Sequence, residues 1–342
     1  MVLYIRAIFY FERRRNMAVY NRFYTKQKWE QVNKYNKELM NDFLLELKAQ
    51  KKSEGTRKQY MNDLRIVFIY ILEEEDNKPI YKLKKKAYRN MMLYLQEREM
   101  SNARINRIFS ALRSMLEFGS LEEEYEDELE INYASKVKGL QKQKTREIIF
   151  LKDEEVEYIY NRLIEKKRYQ QALLLALMYD SAGRRNECFQ VTKNGITLDG
   201  NFTNQVIGKR GKTFRLLYND RTKQAYEMYM NRRGEDDLDA LWITKSQGQK
   251  VPASYETLYA WVISWRKILA EKYEYKEFNP HSFRHSCADN LENGSHYICD
   301  KLGRKFELFQ IQKLMNHSDI STTQSYLQDK SEDELLKAFG IF

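Results

Sequence analysis

The chain has 342 residues, enough for two domains with separate cores, and 42% of them are hydrophobic while 32% are charged, as in ordinary globular proteins. This composition argues against disorder, and the longest apolar runs, at 66–72 and 172–179, are far shorter than the roughly 20 residues that span a bilayer. The net charge of +10 hints at a nucleic-acid partner, but 59 basic and 49 acidic residues with random signs would scatter by about as much.

The N-terminal segment does not have the pattern of a secretory signal. Arg6 interrupts its apolar stretch, three arginines at 13–15 follow that stretch, and no small-residue cleavage site appears. We predict an N-terminal extension over residues 1–34, with the native start at Met17 and residues 1–16 a miscalled addition. If the segment is genuine, its arginines are candidates for a DNA-binding arm. We expect a protein of the bacterial cytosol or nucleoid.

Residues 35–120 show repeated helical periodicity and are predicted to form a helical domain. The last of these helices begins at Ser101, a suitable N-cap, and carries Arg104 and Arg107 beside an apolar stripe. Clustered cations of this kind are candidate phosphate contacts, although a solvated helix face is the commoner meaning of any one cluster.

The segment 121–147 changes from acidic to basic and loses its apolar periodicity, which predicts a linker. A second domain is predicted over 148–342, with helices first, three short strands between 194 and 218, and helices again from Thr222. The predicted fold class is therefore mainly α-helical, with a small β-hairpin in the second domain.

Two local features of the second domain are suggestive. The tip of its hairpin carries three cations that could contact DNA, namely Lys209, Arg210 and Lys212. The final segment, 331–342, starts with a capping-box pair, Ser331 and Glu334, and continues with an apolar edge that needs a docking site.

Metal and cofactor signals are weak. Cys188, Cys287 and Cys299 form no CxxC pair and are odd in number, so we predict buried small hydrophobic residues rather than a disulfide framework or a cysteine zinc site. His281 and His285 are four residues apart, as helical zinc ligands are, but the glutamate of HExxH is missing. No P-loop occurs. We expect no metal and no cofactor.

Four places in the second domain carry residues typical of phosphoryl chemistry. They are Arg184 with Glu187 in AGRRNE, Lys209 in GKRGKTFR, His281 with Arg284 in HSFR, and His317 with Tyr326 in NHSDISTTQSY. Each has an ordinary alternative: an i,i+3 ion pair explains the first, and with 25 tyrosines a histidine meets one nine places on about 7% of the time. Their order within one predicted domain carries more weight than any member.

This set resembles the catalytic boxes of the tyrosine recombinase, or phage integrase, family. The resemblance covers about 35–330, and the specific motifs lie between 180 and 330. The family's first arginine box, usually G-hydrophobic-R-x-x-E, matches at Arg184 rather than Arg185, and its hairpin lysine matches at Lys209. The H-x-x-R and G-H-x8-Y boxes end at Arg284 and Tyr326.

Three departures from the family pattern are visible. Asn316 replaces the usual glycine before His317, and Gly183 stands where a hydrophobic residue is common. Residues 299–309 look like an insertion between the second arginine box and the tyrosine box. The departures leave the six catalytic positions intact.

The resemblance implies a two-domain, C-shaped DNA clamp, with a SAM-like core-binding domain at 35–120 and a catalytic domain at 148–342. It also implies a site-specific DNA recombinase that cuts and rejoins strands through a 3′-phosphotyrosine on Tyr326. Elementary chemistry supports this division of roles, because guanidinium forks at Arg184 and Arg284 suit the charge that builds on a phosphate under attack.

The remaining roles follow from the acid–base needs of the reaction. A phenol needs a base at neutral pH, for which His281 is the candidate, while His317 would donate a hydrogen bond to the phosphate. The departing 5′ oxygen needs a proton, assigned to Lys209, and Glu187 would support Arg184.

We expect the integrase or transposase of a mobile element or phage. The alternatives are a chromosome or plasmid dimer resolvase of the same family, a nicking and rejoining topoisomerase, and a non-catalytic sequence-specific DNA-binding protein. Expected partners are double-stranded DNA with inverted-repeat core sites, further copies in a tetramer assembled through 331–342, and accessory DNA-bending or directionality proteins, with no membrane partner.

Overall fold

The computed structural model describes residues 19–141 and 147–327, and the chain divides into two compact units, 1–146 and 147–342. Within the described part of the first unit the regular elements are helical. They are α1 (Val19–Phe23), α2 (Lys26–Gln31), α3 (Lys34–Ala49), α4 (Glu54–Glu74), a 3₁₀ turn (Ile80–Lys82), α5 (Lys85–Glu97), α6 (Asn102–Gly119) and α7 (Glu126–Leu129).

Helix α4 is the centre of the first unit. Its apolar run at 66–71 is buried on every side, so the helix is enclosed by its neighbours rather than lying on the surface. Helices α3 and α6 pack against it. The predicted N-cap of α6 is confirmed, because Ser101 Oγ accepts a hydrogen bond from the Arg104 amide at 3.4 Å.

The core of the first unit extends beyond residues 35–120 on both sides. On the N-terminal side, Phe23 and Val32 are buried in the same core, although they lie in the predicted extension. On the C-terminal side, Leu129, Ala134 and Val137 are buried there too, within the predicted linker. Their apolar contacts hold residues up to about 137 in the same core as α6. The apolar periodicity of the sequence, which ends earlier, did not predict this packing.

The second unit combines helices with two small antiparallel hairpins. Its elements are α8 (Asp153–Glu165), α9 (Tyr169–Ser181), α10 (Arg185–Phe189), β1 (Phe202–Ile207), β2 (Thr213–Leu217), α11 (Asp220–Arg233), β3 (Ile243–Ser246), β4 (Gln249–Pro252), α12 (Tyr255–Leu269), α13 (Pro280–Asn293), α14 (Tyr297–Leu302), α15 (Leu308–Met315) and α16 (Ile320–Gln324), with 3₁₀ turns at Lys193–Gly195 and Lys209–Gly211.

Strand prediction was right in one place and wrong in two. The β1–β2 hairpin is present, but residues 194–200 form a 3₁₀ turn and loop rather than a third strand. Residues 243–252, predicted as helix, form the β3–β4 hairpin. Its two-residue turn places Gln247 and Gly248 at φ 49° and 82°, which a helix does not allow.

Helix α9 is the centre of the second unit. Residues 172–182 are buried on all sides, and α8, α11 and α13 pack around them. Cys188, Cys287 and Cys299 are buried and free. None of the helices described here is long and apolar enough to cross a membrane.

Candidate active site

The first arginine box lies at the end of the central helix α9. Ala182 adopts a left-handed conformation (φ 49°) and turns the chain. Gly183 follows in a tight space, since a Cβ there would stand 2.7 Å from Ser181 Oγ and 2.9 Å from Cys188 Sγ. A larger residue here would force the Ser181 and Cys188 side chains to shift, which is a physical reason for glycine at this position.

Arg184 is the N-cap of α10 and is held by Glu187. The Glu187 carboxylate accepts from the Arg184 amide at 2.8 Å and from its guanidinium at 2.9 Å. Glu187 is buried, whereas 30% of the Arg184 side chain is exposed. The ion pair therefore orients a guanidinium that still has an open side.

The β1–β2 hairpin is anchored to the same helix. The Gln190 side chain donates to the Ile207 carbonyl at 2.9 Å and accepts from the Ile207 amide at 2.8 Å. At Gly208 an added Cβ would lie 2.5 Å from the Phe214 ring and 3.4 Å from Glu187 Oε1. The turn of the hairpin thus starts directly beside the carboxylate that orients Arg184.

Helix α13 presents three side chains of the candidate site on one face. Its N-cap Asn279 accepts from the His281 amide at 2.9 Å, and Pro280 occupies the first turn. His281, Arg284 and His285 then share a face by the i, i+3, i+4 rule. Arg284 is almost fully buried at 1% exposure.

The Arg284 guanidinium joins the two arginine boxes to the tyrosine segment. It donates to the Ala182 carbonyl at 2.5 Å, to the Met315 carbonyl at 2.8 Å and to His317 Nε2 at 2.7 Å. Burial and the nearby charge of Arg184 lower the pKa of Arg284 from its ordinary value.

His317 follows the end of α15. Asn316 terminates that helix in a left-handed conformation with φ 58°, a conformation that glycine and asparagine tolerate. This geometry accounts for asparagine where the family usually has glycine. His317 is buried, and its Nδ1 lies 3.0 Å from the Thr323 hydroxyl in α16.

Tyr326 lies in the turn after α16, surrounded by three histidines and Arg284. Its ring centroid is 5.2 Å from that of His281, 4.2 Å from His285 and 5.0 Å from His317. The Arg284 guanidinium carbon is 5.3 Å from the same ring. The structure therefore brings Tyr326 to the second arginine box within one chain.

His285 has the closest ring contact to Tyr326. The rings are stacked with an interplanar angle of 21°, and the Tyr326 carbonyl accepts a hydrogen bond from His285 Nδ1 at 3.1 Å. The sequence suggested His285 only as a candidate zinc ligand. Its position four residues after His281, on the same helical face, indicates that it lies beside His281.

The histidines of this cluster are held neutral. Desolvation, followed by neighbouring charges, lowers the pKa of His281 and of His317 to about 4, although His281 keeps an exposed surface. Desolvation also lowers the pKa of His285. At neutral pH these rings carry lone pairs that can accept protons or hydrogen bonds.

The hairpin lysines differ in their relation to the cluster. Lys209 is exposed in the 3₁₀ turn, and no contact described for it joins it to the other five predicted catalytic residues. The positive charge of Lys212 is among the causes that lower the pKa of His317. The side chain of Arg210 lies outside the described part of the structure.

Arg104 and Arg107, predicted as DNA contacts, have an intramolecular partner. Both guanidinium groups bind the buried carboxylate of Asp63, at 2.6 Å and 3.0 Å respectively. A phosphate must therefore compete with Asp63 for either arginine.

Residues 1–18 and 331–342, which include the predicted DNA-binding arm and the predicted docking segment, lie outside the described residues. Among the described residues, no group of three or more His, Cys, Asp or Glu side chains could hold a metal ion.

A buried histidine outside the cluster gives a stability prediction. His296 is 1% exposed, stacks on Tyr179 at 4.4 Å, and accepts from the Ile298 amide through Nδ1. Burial lowers its pKa to about 3. The unfolded chain takes up this proton near pH 6.5 and the folded protein only near pH 3, so acidification favours unfolding across that interval.

We expect the free energy of unfolding of the second unit to fall below pH 6.5, with His296 contributing about 1.4 kcal/mol per pH unit. A Trp29→Phe background leaves three tryptophans, all in the second unit, to report urea unfolding from pH 7 to 4.5. His296→Asn keeps an acceptor for the Ile298 amide. Its pH slope should be shallower, and an unchanged slope would contradict the assignment.

Comparisons with known proteins agree with this geometry. The "Phage integrase family" model matches residues 149–333, and the "Phage integrase, N-terminal SAM-like domain" model matches residues 40–123. The SPbeta prophage-derived recombinase-like protein YomM of Bacillus subtilis (strain 168) is 24% identical over 324 residues, covering 91% of this chain and 92% of the relative. Tyrosine recombinase XerC of the same organism is 24% identical over 260 residues, covering 72% and 78%.

A lambda integrase dimer bound to a COC′ core site matches with a TM-score of 0.63 at 15% identity, covering 91% of this chain and 83% of that one. A lambda integrase tetramer bound to a Holliday junction matches at 0.62 and 14%, covering 86% and 77%. At these identities the likeness establishes the fold. Since the catalytic family model covers more than half of the chain, the protein belongs to the phage integrase family, the tyrosine recombinases, which cleave and rejoin DNA.

Proposed function

We propose that this tyrosine recombinase uses Tyr326 as its nucleophile within the cluster of Arg184, His281, Arg284 and His317. The observation that carries the proposal is the position of the Tyr326 ring, with three histidine rings 4.2 to 5.2 Å away and a buried guanidinium at 5.3 Å. A tyrosine with only a packing role has no need of these partners.

The proposed reaction is a phosphoryl transfer in two directions. The phenol oxygen of Tyr326 forms a bond to phosphorus while the P–O5′ bond breaks, leaving a 3′-phosphotyrosine and a free 5′-hydroxyl. The Tyr326 proton passes to His281, and a hairpin lysine gives a proton to the 5′ oxygen. One phosphoester replaces another, so the reverse attack rejoins the strand without a nucleotide.

Two arginines stabilise the charge of the transition state. Arg184 keeps an open side for the non-bridging oxygens, whereas in the free protein the terminal nitrogens of buried Arg284 already donate to protein acceptors and its Nε–H has no hydrogen-bond partner. His317 accepts from Arg284 in this state, because a guanidinium N–H donates only. Its proposed role as a phosphate donor therefore requires a proton on Nε2 in the DNA complex.

The identity of the proton-donating lysine can be tested with a sulfur substitution. Lys209→Ala should slow cleavage of ordinary DNA by about 10² to 10⁴, the usual worth of a general acid. A substrate with sulfur in place of the bridging 5′ oxygen should restore its rate, because a thiolate leaves without protonation. Lys212→Ala is the matched control in the same hairpin. Sulfur rescue of Lys212→Ala instead would reassign the acid to Lys212.

The covalent intermediate is the direct test of the proposed function. Purified protein is incubated, with EDTA and without added metal, on nicked labelled duplexes that cover the DNA flanking its gene. We expect a protein–DNA adduct on a denaturing gel, and peptide mass mapping should locate the DNA on Tyr326. Site-specific DNA binding with no adduct would refute the proposed catalytic function and indicate a non-catalytic, sequence-specific DNA-binding protein.

We propose a mobile-element integrase or transposase acting in the bacterial cytosol, supported by similarity to a prophage-derived protein over 91% of the chain. Dimer resolution is the alternative, since a protein named XerC is equally identical over a shorter span. Excised circles of the flanking DNA in cells expressing the protein support the first role. Resolution of dimeric plasmids without excision supports the second.

The proposed partners are double-stranded DNA with inverted-repeat core sites, accessory DNA-bending or directionality proteins, and further copies of the chain in a tetramer. The matched lambda integrase structures hold a dimer and a tetramer on DNA. The proposed contact between copies is segment 331–342. Deleting it should impair assembly on DNA, measured by the mass of the complexes, and unchanged assembly would refute this contact.

A further inference from the structure

Thr323 contacts the ring nitrogen of His317 that does not face Arg284. Its hydroxyl lies 3.0 Å from His317 Nδ1, while Arg284 occupies His317 Nε2 at 2.7 Å. Thr323 is fully buried, on the short helix α16 that leads to Tyr326. The three side chains form a chain of hydrogen bonds from the second arginine box to the tyrosine segment.

Donor and acceptor rules determine the direction of these bonds. The Arg284 guanidinium has N–H groups and no acceptor, so His317 Nε2 must accept. A neutral imidazole carries one proton, which is then on Nδ1. That proton is donated to Thr323 Oγ1, the partner of Nδ1 in the structure.

We propose that Thr323 is a positioning residue for His317: its hydroxyl oxygen accepts the Nδ1 proton and keeps Nε2 directed toward Arg284 and the phosphate. The part of this inference that concerns the phosphate rests on the proposed function. The part that concerns the protonation of His317 in the free protein does not. In the DNA complex, a proton taken up from solvent on Nε2 makes an imidazolium and ends the bond from Arg284, whose N–H then turns to the phosphate. The imidazolium can then donate to a non-bridging oxygen while Nδ1–H stays on Thr323.

The alternative role for Thr323 is packing alone, because its side chain is buried. Two substitutions separate packing from hydrogen bonding. Thr323→Val has nearly the same shape and loses the hydroxyl, whereas Thr323→Ser keeps the hydroxyl and loses the methyl group. The exposed neighbour Thr322 supplies a matched control, Thr322→Val.

Nitrogen-15 spectra of the full chain with labelled histidine report the ring protons directly, and the chain has only four histidines. We expect His317, identified by its loss in His317→Gln, to carry its proton on Nδ1. Two other rings are internal references. His285 donates from Nδ1 to a carbonyl, and His296 accepts at Nδ1 and so carries its proton on Nε2. A proton on Nε2 of His317 in the wild-type protein would overturn the proposal.

The variants test the consequence for catalysis. Thr323→Val should change the His317 signals and slow adduct formation by about 10- to 100-fold, the range found when the partner that orients a metal-bound imidazole is removed. Thr323→Ser and Thr322→Val should remain near wild type in both readouts. Equal losses in Thr323→Val and Thr323→Ser would mean packing and overturn the proposal, as would no loss in Thr323→Val. If the wild type forms no adduct, the proposed function fails, while the spectra still decide the role of Thr323.

Discussion

A Tyr326→Phe variant is expected to bind its DNA site as the wild-type protein does and to form no covalent adduct. The substitution removes one oxygen and keeps the ring that stacks on His285 at 4.2 Å. The proposed nucleophile is lost, and attack by water would form no bond between protein and DNA. Adduct formation should therefore fall below detection on denaturing gels, while the midpoint of a DNA-binding titration stays unchanged.

The control for this prediction is another tyrosine of the second unit. Tyr275 is 54% exposed, and Tyr275→Phe should form adduct at the wild-type rate. Persistent adduct in Tyr326→Phe would show that a different residue attacks. Loss of DNA binding in the same variant would show that the tyrosine segment has a structural role that the single oxygen supports.

The second large effect is expected from a comparison of two adjacent arginines. Arg184 pairs with Glu187 and keeps an open side, whereas the Arg185 guanidinium stacks on Tyr255 at 3.7 Å. Arg184→Lys keeps a positive charge but loses the planar fork whose geometry suits two phosphate oxygens. We expect the rate of adduct formation to fall by about 10² to 10³, the usual worth of one transition-state donor.

Arg185→Lys is the matched control, with the same chemical change one residue away. Its rate should stay within a few fold of wild type, because its partners belong to α12 and not to the cluster around Tyr326. Similar losses in both variants would indicate a general effect on folding or DNA binding. A larger loss at Arg185 would shift the first arginine box by one residue.

Local sequence patterns predicted a large part of the secondary structure. Apolar periodicity predicted a mainly helical chain, and glycine turns predicted the β1–β2 hairpin correctly. The β3–β4 hairpin was missed because its turn depends on Gln247 and Gly248 adopting positive φ angles, and glutamine does not signal that conformation. The apolar periodicity of the sequence also ended too early, because buried core residues of the first unit continue through residues 125–137.

Four candidate catalytic boxes could be recognised from the sequence, because phosphoryl transfer needs a particular set of charged and titratable groups whose types and order can be read along the chain. Their mutual geometry could not be predicted, since it joins Arg284 to Ala182 and to Met315, which are 102 and 31 positions away from it. The partners of Arg104 and Arg107 were likewise invisible, because Asp63 is 41 and 44 residues away from them and is buried only after folding.

By itself, then, the sequence determined the family, the helical class and the candidate chemical groups, because these depend on residue types and short spacings. Only the tertiary structure decided which nitrogen of His317 accepts a hydrogen bond, that His285 stacks on Tyr326, and that Thr323 completes the chain from Arg284. The physical reason is that protonation and orientation depend on burial and on contacts between distant segments, which exist only once α13, α15 and α16 pack together.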